Sequence, residues 1–382
     1  MTAGPHSEES FPDARFAGRF LLRFSLLPGG CPERERPACT TLWLPSLKQD
    51  NDMTKNAFVA VVTGGSSGVG RATANYFAAS GYDVAVIARG EQGIADTVKE
   101  LERHGGNVIG ISADVADPQQ VSNAAQKIEE QLGPVAVWIN CAMTTVLAPV
   151  EEMSADEYRR VTEVTYLGTV NGTRAALRYM QERNSGIIVQ VGSALALRSI
   201  PLQSAYCGAK AAVRAFTDSL RCELLHQKSG VKVTMVQLPA VNTTQFNWAR
   251  NKFHHRMQPV EPVYQPEVAA KAIYNAAVAR MTPREVWLGK STIMSVVGNM
   301  FFPGLLDRYM ARNTWQGQLT DEVEAPMRDD YLFRPLESGH QARGRFDRIA
   351  REKAVSVDSR VMGVAAVALV GLALRGLCRR RR

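Results

Sequence analysis

Little in this sequence suits a protein built on metals or disulfides. Its six cysteines (Cys31, Cys39, Cys141, Cys207, Cys222, Cys378) form no C-x-x-C pair and have no histidines at zinc-ligand spacing. They are too sparse for a disulfide scaffold, so a reducing, cytoplasmic setting is expected. No apolar run reaches the roughly 20 residues of a spanning helix, and no internal repeat is present. A basic body is missing too. The 382 residues carry 45 Lys+Arg against 37 Asp+Glu, net +8, yet residues 341–382 hold 11 basic and 3 acidic side chains, which is the whole surplus. The other 340 residues balance at 34 to 34. A nucleic-acid-binding domain needs phosphate-neutralising charge on its folded body, so that class is excluded.

What is present is a globular composition, 45% hydrophobic and 21% charged. Residues 1–52 show no period of 2 or 3.6 and fail as a signal peptide, reading as a disordered leader. From Met53 the chain alternates. Strands are expected at Phe58–Val62, Val84–Ala88, Asn107–Ser112, Val135–Asn140, Gly186–Gly192, Val231–Leu238 and Glu285–Leu288, with helices between them. That order predicts α/β structure: a Rossmann-type, doubly wound parallel sheet forming a single domain over residues 53–290, with a C-terminal extension. Residues 291–345 form a substrate-side extended arm, in which the apolar stretch 292–306 reads as a lid, dimer contact or membrane contact. Residues 346–382 are a basic tail. There Val361–Leu374, 14 uncharged residues followed by Arg375 and Arg379–Arg382, reads either as a membrane-surface contact or as a helix docking on a partner subunit. A homo-oligomer is the expected assembly.

Thr63-Gly-Gly-Ser-Ser-Gly-Val-Gly70 lies between the first strand and the first helix. Gly64 can take the φ the turn requires. Gly68 lets backbone N–H groups approach a pyrophosphate, and Gly70 allows close helix–sheet packing. Ser66, Ser67 and Val69 complete this dinucleotide loop. The second strand ends at Ala88-Arg89 with no carboxylate before Glu91. An acid there suits the ribose 2′-hydroxyl of NAD and an Arg suits a 2′-phosphate, so NADP is favoured over NAD.

Tyr206-Cys-Gly-Ala-Lys210 sits near the start of a helix, where residues four apart share a face, and Ser193 ends the fifth strand 13 residues upstream. With TGGSSGVG, Asp114-Val115 and Asn140, these residues resemble the short-chain dehydrogenase/reductase family over about residues 56–290. The resemblance implies an NAD(P)-dependent oxidoreductase that transfers hydride between a nicotinamide and an alcohol or carbonyl. Tyr206 would be the acid–base group, with Lys210⁺ bringing the phenol's pKa of about 10 towards working pH. Lys210 would also hold the nicotinamide ribose, and Ser193 the substrate oxygen. Asp114 and Val115 would contact adenine, Asn140 would lie beside the adenosine ribose and support the sheet, and Pro239 to Thr243 would cover the carboxamide.

Three departures stand out. Asn140-Cys-Ala-Met143 replaces the usual Asn-Ala-Gly, Pro239-Ala240 replaces Pro-Gly, and Thr165 stands where many members carry an Asn that helps hold a relay water. Aromatics at Phe246, Trp248 and Phe253 fit either an apolar substrate or a flap packed on the core, and His254-His255 lacks a third metal ligand. The function expected is an NADP-preferring alcohol dehydrogenase or carbonyl reductase acting on a small apolar molecule. The alternative is a cofactor-binding sensor or scaffold with little turnover.

Overall fold

The computed structural model describes residues 58–325 and 328–361. The leader and nearly all of Val361–Leu374 lie outside those residues. Each sheet strand is short and, except for the edge strand Val108–Ser112, mostly buried, as expected for strands covered on both faces. They are β1 (Val59–Thr63), β2 (Asp83–Ala88), β3 (Val108–Ser112), β4 (Val135–Asn140), β5 (Ile187–Ser193), β6 (Lys232–Leu238) and β7 (Glu285–Leu288). All seven pair in parallel. An eighth strand, β8 (Ser356–Asp358), joins antiparallel on β7, giving the order β8-β7-β6-β5-β4-β1-β2-β3. β8 falls within the stretch expected to be tail, so the packed body runs well past residue 345.

Alternation along β1 divides the core. Ala60 and Val62 face one layer with Phe77 of α1 (Gly68–Ala79) and Ile273 of the helix Pro266–Val278. Val59 and Val61 face the other, with Ile128 of α3 (Pro118–Gln131), Met180 and Leu224. Between β2 and β3 runs α2 (Glu91–Leu101). α3 starts where Pro118 takes the first helical position and the Asp117 carboxylate accepts from the N–H groups of Gln119 (2.8 Å) and Gln120 (3.1 Å). Between β4 and β5 run α4 (Ala155–Thr162) and α5 (Gly168–Glu182), joined by a π-helical turn over Glu163–Leu167. α4 opens with a capping box between Ser154 and Glu157. α6 (Ser204–His226) follows β5.

The apolar stretch 292–306 folds as parts of two helices, Lys290–Phe301 and Pro303–Asn313, which break at Phe302 ahead of the proline. Met294, Phe301, Phe302, Leu305 and Tyr309 are exposed on them. Among the described residues no helix is long and apolar enough to cross a membrane.

Candidate active site

The C-terminal ends of the parallel strands open on one cavity of about 870 Å³, within the usual range of ligand sites. Its floor is the glycine turn. Gly64 has φ +68°, and its N–H donates to the Ile87 carbonyl at 2.7 Å. A Cβ there would lie 2.7 Å from Ala142 Cα, and one at Gly70 would lie 2.2 Å from the Gly64 carbonyl oxygen. Only glycines let α1 approach the strand ends so closely. Ser67 precedes α1 without capping it through its side chain, and the first turn carries no acid. The positive end of the helix therefore faces the cavity without a side-chain cap, its first N–H, that of Gly68, donating to the Gln341 carbonyl at 3.0 Å.

Gly64, Ser66, Ser67, Gly68, Val69, Gly70, Arg89, Asp114, Val115, Ser193, Tyr206, Lys210, Pro239 and Thr243 all line this cavity. Asn140 does not. Its side chain accepts from Trp138 Nε1 at 2.9 Å and donates to Gln190 (2.9 Å) and Thr173 (3.1 Å), a buried network that ties α5 to β4 and β5 behind the wall. Of the two roles expected of it, the structure shows the bracing one.

Ser193, at the end of β5, is buried and accepts from Leu195 N–H at 3.1 Å. Tyr206 is half-buried against the cavity. Lys210 is buried one helical turn further on, donates to the Val191 carbonyl at 2.7 Å and has its ammonium 5.8 Å from the Tyr206 ring centre. Burial pushes the Lys210 pKa down to about 8, with the Cys141 thiol opposing. Burial raises Tyr206 above the ordinary phenol value, and hydrogen bonding with Ser193 only partly opposes this. The ammonium is spent on a backbone carbonyl, so desolvation dominates.

Thr165 gives the loop after β4 its shape. Its hydroxyl accepts from Thr144 N–H and donates to the Thr144 carbonyl, both at 3.1 Å. Thr63 does the same from β1, its hydroxyl accepting from the N–H groups of Cys141 (3.1 Å) and Ala142 (3.3 Å). Asp114 holds Ala116 N–H at 3.0 Å and Arg160 at 2.5 Å. The Arg89 guanidinium donates to the carbonyls of Tyr331 and Leu332, and burial lowers its pKa.

Those last partners were not foreseen. Part of the arm expected on the substrate side crosses the glycine-turn end of the cavity, bringing Tyr331, Pro335, Leu336 and His340 into its wall. Tyr331 accepts from Thr145 N–H at 3.3 Å and packs on Trp248. Phe246 stacks edge-on with Phe346. Two of the loop aromatics thus serve as a flap bound to the arm. The only local signal for this was the Tyr-Leu-Phe triplet in an otherwise polar stretch. Among the described residues no group of three or more side chains could hold a metal. A dinucleotide fits what is present: a glycine cradle, a helix start with no side-chain cap and the buried Lys210 at the far end of a cavity of adequate size.

Comparison with known proteins agrees with this geometry. Residues 58–254 match the family model described as short chain dehydrogenase. An uncharacterized oxidoreductase of Bacillus subtilis (strain 168) is 29% identical over 308 residues, 79% of this chain and 83% of that protein. A 3-dehydrosphinganine reductase of Danio rerio is 33% identical over 231 residues, 58% of this chain and 69% of its own. The crystal structure of a short-chain dehydrogenase from Streptomyces avermitilis superposes with a TM-score of 0.57 at 29% identity, covering 69% of this chain and 97% of that one. An alcohol dehydrogenase from the archaeon Thermococcus sibiricus, complexed with 5-hydroxy-NADP, gives 0.52 at 25% identity, covering 60% and 95%. With its parallel sheet, glycine turn and convergent Ser, Tyr and Lys, this chain is an oxidoreductase that belongs to the short-chain dehydrogenase/reductase family.

Proposed function

We propose that this protein is an NADP-preferring reductase of apolar carbonyl compounds. The observation that carries the reading is the convergence of Ser193, Tyr206 and Lys210 on the cavity that also holds the glycine turn. A nicotinamide dinucleotide bound there supplies the hydride. The protein's own part is positioning and proton transfer. The Ser193 hydroxyl holds the carbonyl oxygen and stabilises the alkoxide as it develops. Tyr206, which burial keeps protonated at neutral pH, donates the proton. Gly64 and Ser66 to Gly70 cradle the diphosphate, Lys210 turns to the nicotinamide ribose, Asp114 and Val115 flank the adenine, and Pro239 and Thr243 cover the carboxamide.

NADP is preferred on the strength of Arg89, a half-buried cation that lines the cavity at the end of β2, and the similar archaeal enzyme with a bound NADP analogue supports this choice. Leu195, Ile200, Phe246, Met294, Leu306 and Met310 make the substrate end apolar. A long-chain ketone of the kind named for the Danio rerio relative suits such walls. The exposed apolar side chains on the helices Lys290–Phe301 and Pro303–Asn313, together with the Arg-flanked tail, support contact with a membrane surface. Deleting residues 362–382 and assaying the membrane pellet tests the tail's share.

One observation favours the second reading, a sensor that binds cofactor without turnover: the Thr144 peptide takes the Thr165 hydroxyl proton and one of its two acceptor positions. Tyr206→Phe decides between the two. The reductase reading expects turnover of a ketone and aldehyde panel to disappear while NADPH fluorescence still reports binding. Survival of turnover in the variant would refute the mechanism, and a wild type that binds NADPH but never turns over would favour the sensor.

A further inference from the structure

We infer that residues 331–344 form a clamp over the adenosine half of the bound dinucleotide, and that this clamp must swing aside for the dinucleotide to enter or leave. This rests on reading the crevice as the dinucleotide site. The segment begins beside the catalytic residues, where the Tyr331 hydroxyl meets Thr145 N–H at 3.3 Å. It passes Arg89, which holds its carbonyls at 331 and 332, and runs along the start of α2. It then crosses the glycine turn, where the Gly68 N–H donates to the Gln341 carbonyl at 3.0 Å. It reaches the far wall at Asn242 and Thr243, with Gly344 N–H donating to the Asn242 carbonyl at 3.2 Å. The path thus bridges both sides of the cavity's nucleotide end.

The contacts are shaped for this path. The His340 imidazole lies where Gly93 has no side chain, since a Cβ there would meet it at 2.5–2.9 Å. Gly90 leaves room for Pro335, whose ring a Cβ would approach to 3.2 Å. On the arm, a Cβ at Gly344 would strike the Thr243 carbonyl oxygen at 2.4 Å. Glycine therefore stands at each close approach, on whichever strand of the contact needs it.

Both ends of the segment are fixed while its middle is not. Upstream, Asp330 pairs with Arg250 at 2.8 Å. Downstream, Phe346 N–H donates to Asn242 Oδ1 at 3.0 Å and Asp347 accepts from Asn242 at 2.9 Å and Gln265 at 3.0 Å. Most residues from 333 to 339 are exposed. The polar bonds that hold this middle to the body are few, made by Arg71 to the His340 carbonyl and Gly68 to Gln341. A span anchored at both ends and weakly held between them can open without unfolding the sheet.

The test is a full-length Gly93→Cys/His340→Cys protein. The ring contact puts the two β-carbons no farther apart than the roughly 3.5–4.5 Å that a disulfide spans. NADPH association and release are followed by stopped-flow fluorescence, with the cross-link verified by mass spectrometry and each single-cysteine variant as control. Oxidised while empty, the protein should take up NADPH at least about tenfold more slowly than when reduced. Oxidised after loading, it should release NADPH at least about tenfold more slowly, and dithiothreitol should restore both rates. Equal rates in the two redox states would overturn the clamp. Should the double variant not fold, Gly93→Ala alone pushes the imidazole off α2 and should quicken NADPH release, and an unchanged release rate counts against the proposal. If neither the wild type nor the reduced variant binds NADPH or NADH, the dinucleotide reading of the crevice itself fails and the clamp falls with it.

Discussion

Replacing Lys210 with methionine should make the empty protein more stable at neutral pH while abolishing turnover. The ammonium is buried, and its pKa falls from 10.5 to about 8, chiefly through desolvation. That fall corresponds to roughly 3 kcal/mol against the folded, charged form below pH 8. Methionine matches the stem and removes the charge, but it strips the Val191 carbonyl of its partner, which costs about 1 kcal/mol. The net gain at pH 7 is therefore about 2 kcal/mol. Its pH dependence has a definite sign. Between about pH 8 and 10.5 the unfolded lysine still holds a proton that the folded one has released, so wild-type stability climbs through this window. The advantage of Lys210→Met should thus be greatest at pH 7 and vanish by about pH 10. Urea denaturation of both proteins at pH 7 and 10 measures it. A variant less stable than wild type at pH 7, or an advantage that does not change with pH, would refute the argument that desolvation governs this site.

Other consequences can be checked alongside. Arg89→Ala should weaken NADPH binding by about tenfold or more and NADH binding far less, because only the 2′-phosphate uses a charge-assisted bond there; paired fluorescence titrations measure the ratio, and equal losses would remove the argument for NADP. Gly70→Ala would drive a methyl into the Gly64 carbonyl oxygen at 2.2 Å, so a loss of about 3 kcal/mol and of NADPH binding is expected in urea melts and titrations. At Glu157, burial opposes ionisation, but hydrogen bonds from Lys252, the Ser154 N–H and Arg250 hold the carboxyl below its usual range. Glu157→Gln should cost about 2 kcal/mol at pH 7, given that both cations are partly exposed. This carboxylate stabilises the fold above the ordinary Glu pKa and ceases to do so as pH falls through its lowered folded value, so the wild type and variant should converge in acid; a gap that persists there would contradict the assignment.

The sheet was legible because its strands are short runs rich in β-branched and small residues, most of them buried on both faces, with a glycine or polar turn beyond, as Val59–Thr63 has at Gly64. The grouping of Ser193, Tyr206 and Lys210 on one cavity was legible because Tyr206 and Lys210 share a helix face and Ser193 closes the preceding strand. The arm's course was not, since Arg89 and its carbonyl partners lie more than 240 residues apart and backbone acceptors leave no mark on a sequence. Asn140 looked like a ribose neighbour, but its three partners come from three separate elements. Thr165 posed the opposite problem. As a departure from the family pattern it stood out, but its use against the Thr144 peptide depends on the π-helical turn that carries it. Likewise the spacing of Tyr206 and Lys210 predicted a phenol softened by a cation, whereas the acidity depends on where the ammonium points.

The strand β8 sets a limit on how this chain can be divided. Its three residues pair with Val286, Trp287 and Leu288, and Gly289 N–H donates to the Val355 carbonyl at 2.8 Å. A protein cut at residue 345 would leave β7 as an open, apolar parallel edge with unpaired N–H and C=O groups, the kind of edge that recruits other chains. The stretch that protects the sheet from aggregation also anchors the segment that walls the nucleotide site. The portion matched by the family model ends at residue 254, before β7 and β8, and a chain cut before residue 358 should yield insoluble material, measured as the fraction left in the supernatant after lysis.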